Sequence, residues 1–549
     1  MGLALHERFV RGVGLAPRGD AVRVGTESVT YEQAHERALV WAGALLRAVR
    51  KPPGTVAVLA AKGIDAYVGI LAGLYAGATV VPLQPGFPPA RTRRMLRSAQ
   101  VSAVIADAAG WARLPELMAP GPDGEAPLDP GDGPLPVLAP GCPSGTRPGV
   151  ERIVPGAAGA LVAPRPVRAA DTAYVLFTSG STGRPKGVPI SHGSAAHYFR
   201  LQDERYDFTP DDVFSQTFDL NFDCAMFDLF CAWGAGATAL WVPPGAYRDL
   251  PAFAAENRMT VWFSTPSAIP LVRRLGGLAP GSLPGLRWSF FAGEALTCKD
   301  ASDWQTAAAG SALENLYGPT ELTITIAAHR WEGHSARIAV NGVVPIGHVN
   351  AGHDHLLLGA DGRPAADEGE LCVTGPQTTR GYLDAADDAG RFLEYDARTW
   401  YRTGDRVRRI GDSGELAYLG RLDSQVQIAG WRVELPEVDH ALRGCPGVTE
   451  AVTVDVAGAS GTELVVFYTG REVPAAAFAR QLREVLPMGM TPRHYWHLDE
   501  FPLNSNRKTD RGALRARAAE RLGAARGSTA GEGAGGTSET TGGGSTPTN

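Results

Sequence analysis

The sequence predicts an α/β protein with largely parallel sheets and at least two domains, and three observations carry this. Strand-like apolar runs (TVAVLAA, TVVPL, VSAVIAD, AYVLFT, ATALWVP, VWFSTP, LRWSFFAGE) alternate with helical patterns through roughly the first 420 residues, the pattern of parallel strands joined by helical crossovers. From about residue 356 the strands become shorter and turn-separated, as in a small β-rich subdomain. A chain of 549 residues also exceeds what one hydrophobic core organises.

The elements follow in order. The opening MGLALHERFVRGVG carries charges inside any possible apolar region and does not read as a signal peptide. Residues 66–90, AYVGILAGLYAGATVVPLQPGFPPA, carry no charge, but glycines at 69, 73 and 77 and prolines from 82 onward interrupt them. A buried helix ending near Gly77 and feeding the strand TVVPL is expected there, not a membrane span. Residues 118–170, rich in Pro, Gly and Ala with little periodicity, read as a surface loop or loosely ordered insertion. HDHLLLGADG, GELCVTG and ELAYLGR supply the β-rich subdomain.

Near residue 420 the pattern changes again. GRLDSQVQIAGWRVEL is hairpin-like, PEVDHALRGC helical, TEAVTVDV and TELVVFYT strands, and AAAFARQLREVL a helix: a compact α+β unit. The domain boundaries are therefore set at 1–422, 423–522 and a tail, 523–549. Residues 526–549 have no aliphatic side chain larger than alanine and are expected to be disordered.

Hydrophobic content of 44% and charge of 20% are ordinary for a soluble globular protein. A net charge of −6 leaves no basic footprint for nucleic acid. Six cysteines (142, 224, 231, 298, 372 and 445) contain no CxxC, so neither a zinc site nor a disulfide framework is indicated, and a reducing cytoplasm fits. Only five of the 52 basic residues are lysine: Lys51, Lys62, Lys186, Lys299 and Lys508. Where this arginine-rich chain keeps a lysine, a compact ammonium is the feature that arginine cannot supply.

The chemistry starts at LFTSGSTGRPKGV, residues 176–188. A strand runs into Thr178, Ser179, Gly180, Ser181, Thr182 and Gly183, whose hydroxyls and N–H groups suit phosphate oxygens, with Lys186 following. A Walker A loop needs a hydroxyl directly after its lysine; here Lys186 follows proline and precedes Gly187, which disfavours a P-loop enzyme. Further motifs come in order: NLYGPTE at 315–321, GELCVTG at 369–375, YRTGD at 401–405, GRLDSQVQIAGWRVEL at 420–435 and PLNSNRKTDRGAL at 502–514.

The ordered set resembles the adenylate-forming superfamily, which includes amino-acid adenylation domains of non-ribosomal peptide synthesis, acyl-CoA ligases and luciferases. The resemblance spans roughly residues 20–515. It implies a large N-terminal domain with two mainly parallel sheets and a small mobile C-terminal domain. ATP and Mg2+ would be the cofactors, and a separate phosphopantetheinylated carrier protein the partner, with no nucleic acid or membrane.

Site residues are carried over motif by motif. Asn315, Tyr317 (stacking on a purine), Gly318 and Thr320 (donating to a phosphate) join the ATP site with Gly293, Glu294 and Ala295. Glu321 offers the hard oxygen that Mg2+ requires. Asp405 resembles the family carboxylate that takes both ribose hydroxyls, with Arg421 its companion. Lys508 matches the mobile domain's lysine that reaches substrate carboxylate and α-phosphate, a role suited to joining two anions. With Thr320 and Glu321 it makes the catalytic set. Arg507 stands where the family has glycine. Asp423 matches the hinge, and Gly430 the glycine whose strand approaches the incoming thiol; Gln427 and Ala429 replace the family's lysine and arginine.

The substrate reading rests on TFDLNFDCAMFDLF, residues 217–230. Two FDxx frames compete, and the second is preferred because it leaves Phe227 one turn on and Phe230 in the closing aromatic place. Asp223 is then the carboxylate that pairs with an amino-acid ammonium; a buried carboxylate needs such a cation. Cys224, Phe227, Phe290, Ala292, Leu316, Ile324 and Thr325 form the expected wall. Their lack of charge favours a small or medium apolar amino acid, α or β. A ligase using free CoA and a catalytically silent nucleotide-fold module remain the alternatives.

Overall fold

The computed structural model describes residues 4–49, 54–120, 127–128, 133–143, 145–180, 184–458, 461–502 and 509–531. Two large sheets dominate the first 350 residues or so. One has seven strands in the order Val150–Ile153, Leu135–Leu138, Val101–Ala106, Thr55–Leu59, Thr79–Leu83, Thr172–Thr178, Lys186–Ser191, all neighbours parallel except the last pair. The other has nine, with a parallel centre of Asp20–Val24, Thr238–Trp241, Val213–Gln216, Val261–Ser264, Trp288–Phe291 and Ala312–Tyr317 and antiparallel edges. Central strands such as VWFS are buried on both faces, so they are continuously apolar rather than alternating.

Residues from the two sheets and the helices Tyr31–Ala48, Ile64–Tyr75 and Asp223–Ala235 form one core. In Ile64–Tyr75 every residue from Ala66 to Tyr75 is buried, which accounts for the uncharged run noted in the sequence. No described helix is long and apolar enough to cross a membrane.

A six-stranded antiparallel sheet follows, built on the strand Arg398–Ile410 between Glu368–Thr374, Phe392–Tyr395 and Glu415–Arg421. The chain then passes Asp423 into a hairpin, Gln425–Ile428 with Trp431–Glu434. The C-terminal elements are the sheet Val448–Gly458, Gly461–Gly470, His494–His497 and the helices Leu435–Arg443, Ala475–Leu482 and Arg511–Gly531.

Two expectations need adjustment. The 118–170 segment contributes two edge strands, Leu135–Leu138 and Val150–Ile153, to the seven-stranded sheet. Strands of only four residues, LPVL with a proline and VERI with two charges, carry no legible periodicity. The last helix runs to Gly531, past the start of the expected tail; residues 532–549 lie outside the described residues.

Candidate active site

Three carboxylates converge where the two sheets, the antiparallel sheet and the C-terminal hairpin meet. Asp223 opens the helix Asp223–Ala235. Its Oδ1 accepts the Cys224 N–H at 2.8 Å, one of the donors a helix start leaves unpaired, and the Thr320 hydroxyl donates to it. No described cation forms an ion pair with it. Burial, with the Glu321 charge nearby, raises its pKa to about 6 against those two hydrogen bonds. Asp219, in the competing frame, lies 3.6 Å from Lys62 Nζ.

Glu321 is fully buried, with Oε1 accepting from the Tyr382 hydroxyl at 2.6 Å and Oε2 from Arg432 Nη1 at 2.8 Å. Burial works to raise its pKa, but the Arg432 guanidinium and the Tyr382 hydroxyl outweigh this and hold it down at about 2. Asp405 accepts from the Tyr317 hydroxyl at 2.6 Å and from Arg421 at 3.0 Å, the two strands being paired at Asp405 and Arg421. Burial still leaves its pKa raised. Tyr317 therefore carries a polar anchor beside any stacking role.

The strand that carries NLYGPTE bends sharply after Tyr317. A Cβ on Gly318 would lie 2.6 Å from the Thr325 backbone, so no side chain fits. Thr323 and Ile324 then adopt φ of 58° and 71°, rare for β-branched residues. Gln377 holds them: its amide donates to Leu322 O, Thr323 O and Thr325 O at 3.0–3.3 Å, while Thr323 Oγ1 donates to Gln377 O at 2.7 Å.

The expected wall residues are mostly buried in the large core between the two sheets. Cys224, Phe227, Phe290, Ala292, Leu316 and Ile324 belong to one core cluster, Phe227 and Phe290 meeting edge to face at 5.3 Å. Thr325 exchanges a hydrogen bond with Tyr198 at 3.0 Å.

Around the phosphate loop, Thr178 pairs with Lys186 across the antiparallel hairpin. Lys186 Nζ lies 3.5 Å from Asp387 and 5.5 Å from the Tyr382 ring centre. Gly180 is buried against the Arg184 carbonyl, and Ser179 Oγ donates to Arg432 O at 2.6 Å. Glu294 accepts N–H bonds from Ser267 and from Gly430, each at 2.9 Å. Gly293 has φ of 89° and Ala295 is exposed beside it. Asn315 Nδ2 donates to Val344 O at 3.3 Å and Pro345 O at 2.8 Å, which fixes the side chain. Ser181, Thr182, Gly183 and Lys508 lie outside the described residues.

The hairpin around Gly430 is thus docked on the site. Gly430, φ 83°, turns the chain so that its N–H meets Glu294 and Arg432 meets Glu321. Asp423, at the start of this unit, is gripped by Arg421 at 2.7 Å and by Arg391 at 3.6 Å. A cavity of about 60 Å³ runs beside Trp431 towards Thr320, lined also by Leu83, Phe87, Phe222 and Met490. Arg432, Tyr382 and Gln377 were not singled out from sequence. Arg432 could have been, since it lies two residues from Gly430 in a motif already recognised.

With this geometry in place, residues 13–383 match the family of AMP-binding enzymes. The chain belongs to that family. This AMP-binding enzyme is 34% identical over 89% of its length to an L-proline–[L-prolyl-carrier protein] ligase of Streptomyces coelicolor, covering 92% of that protein. Other curated relatives are longer, and the chain spans only 45% and 37% of two of them. Among solved structures, IdnL7 is 57% identical with a TM-score of 0.72, covering 95% of this chain and 99% of that one. The Vibrio cholerae adenylation domain AlmE, solved with glycyl-adenosine-5'-phosphate, is 27% identical with a TM-score of 0.80, covering 94% and 98%.

Proposed function

We propose that this AMP-binding enzyme, working in the cytoplasm, activates an amino acid with MgATP to aminoacyl-AMP and pyrophosphate. It then passes the aminoacyl group to the phosphopantetheine thiol of a separate carrier protein. The observation that carries the reading is Asp223: a carboxylate without an ion-pair partner among the described residues, its pKa raised to about 6, next to Thr320 and Glu321. Such a group calls for a ligand cation, and an amino acid brings one. The carrier-protein ligase and the glycyl-AMP complex among the similar proteins support the same chemistry.

In this reading Asp223 holds the ammonium and so aims the substrate carboxylate at the α-phosphate. Asp405 and Arg421 fix the ribose, and the loop from Thr178 to Gly183 with Lys186 takes the β- and γ-phosphates. Lys508 neutralises the meeting anions as a carboxylate oxygen attacks phosphorus and pyrophosphate leaves. Glu321, ionised at neutral pH with Thr320 next to it, suits Mg2+, which takes one carboxylate and completes its shell with phosphate oxygens and water. That ion, when bound, neutralises phosphate charge. The C-terminal unit then turns about Asp423 to the docked orientation, and the thiol enters beside Trp431 and Gly430. Its sulfur attacks the acyl carbon, the thiol proton is lost, and AMP leaves. The uncharged wall favours a small or medium apolar α- or β-amino acid.

Amino-acid-dependent exchange of labelled pyrophosphate into ATP, across α- and β-amino acids, tests the first step; no exchange with any refutes it. A K508A variant that exchanges normally overturns the role given to that lysine. Preferential loading of free CoA would replace the carrier protein as acceptor.

A further inference from the structure

Among the ion pairs that join the docked C-terminal unit to the large domain, one is buried at the edge of the small cavity that Trp431 and Thr320 line. Arg91, on the helix Pro89–Ser98, sends Nη1 to Glu437 Oε1 at 2.6 Å. Glu437 lies in the first turn of Leu435–Arg443, the helix that follows the Gly430 hairpin. The side chains are 8% and 2% exposed, and 346 residues separate them in sequence. Glu437 Oε2 has no hydrogen-bond partner, so Arg91 alone compensates the carboxylate among the described residues. Between this pair and the site, Trp431 packs edge to face on Phe87 and Phe222 at 6.2 and 5.1 Å, which ties its indole to the same joint.

An ion pair across a movable joint behaves differently from one inside a rigid core. Undocked, both groups are hydrated and neither burdens the fold. Docked, both lose water, and the pair roughly offsets that loss only when charge meets charge. The pair therefore adds little adhesion but rejects any orientation in which either charge is buried alone. We propose that Arg91 and Glu437 are positioning residues that set the docked orientation, and that they serve thiol transfer without serving adenylation. This rests on the two-step reading above and deepens its second step.

The test uses E437Q, which keeps shape and removes charge, and the pair R91E and R91E/E437R. The amino acid is the one giving strongest exchange, and free pantetheine is the thiol probe, its thioester read by mass spectrometry in single turnover. E437Q should retain pyrophosphate exchange within about two-fold while transfer falls at least about 10-fold, the scale of leaving one buried charge unpaired. R91E should lose transfer likewise, and R91E/E437R should recover most of it, which a merely structural defect would not allow. Transfer by E437Q at the wild-type rate overturns the proposal. So does equal loss of exchange and transfer, or no recovery in the double reversal. Wild-type exchange without transfer to pantetheine, CoA or a carrier protein overturns the two-step reading itself, and the latch with it.

Discussion

Replacing Asp223 by asparagine should stabilise the ligand-free protein and abolish its amino-acid recognition. Burial moves this carboxylate from an ordinary 3.8 to about 6. At 1.36 kcal/mol per pH unit, that shift amounts to about 3 kcal/mol. The folded-state pKa lies above the unfolded one, so folding favours the protonated form. The favourable contribution is complete below about pH 4 and lost as pH rises through 6; above that, the folded protein carries the whole burden of an ionised, unpaired carboxylate. D223N, neutral at every pH, escapes it. For a cooperative unit of roughly 400 residues, about 3 kcal/mol corresponds to about 3–4 °C in Tm. Thermal unfolding of both proteins from pH 4 to pH 8 should show stabilities that coincide at pH 4, diverge between pH 4 and 6 and differ by a constant amount above pH 6, with D223N the more stable. Titration calorimetry with the preferred amino acid should show wild-type affinity falling about 10-fold per unit below pH 6, because the ammonium must displace a proton. D223N should lose about 2–5 kcal/mol of binding, the usual consequence of removing one partner of a buried charge pair, and show no such pH dependence. A D223N protein less stable than wild type at pH 8, or one that binds the amino acid normally, would refute the assignment.

Three further outcomes are expected. Q377A should release the Thr323–Ile324 backbone, destabilise the protein by about 2–4 kcal/mol in urea unfolding, and lower kcat/KM for both ATP and amino acid. R432A should remove the stabilisation that Glu321 supplies by being depressed from 4.5 to about 2: present above pH 4.5, lost as pH falls towards 2. Urea midpoints should therefore differ most at pH 7, differ less at pH 3 and converge only as pH approaches 2. Y317F, which deletes the 2.6 Å bond to Asp405, should raise KM for ATP several-fold and leave KM for the amino acid unchanged in exchange assays.

The sequence exposed elements whose signal is local. The helix Ile64–Tyr75 and the strands around VWFS and WSFF are long or apolar enough to read directly, and Asp405 and Arg421 could be paired by motif before strand register joined them. What escaped depends on distance. Gln377 matters because its amide reaches three carbonyls about 55 residues back, and nothing local to GPQTT announces that. Arg91 reads as one of four arginines on an exposed-looking helix until Glu437 meets it. The Asn315 amide N–H groups meet the Val344 and Pro345 carbonyls, about 30 residues on, contacts that its motif does not announce.

The three site carboxylates show how charge orders the reaction. Asp405 has its cation built in, since Arg421 lies on the adjacent strand directly opposite it. Asp223 has none among the described residues, so under the proposed function its cation arrives with the substrate. Glu321 is intermediate, because its cation is carried by the C-terminal hairpin, the unit that turns in the proposed function. A buried carboxylate held at about 2 cannot release Arg432 without acquiring another positive charge. Under the proposed function that charge is Mg2+ entering with ATP, and the same logic runs backward once pyrophosphate leaves. Glu321 would then be shared between Arg432 and a bound cation, and under the proposed function Arg432 would regain it once the nucleotide phosphates have left.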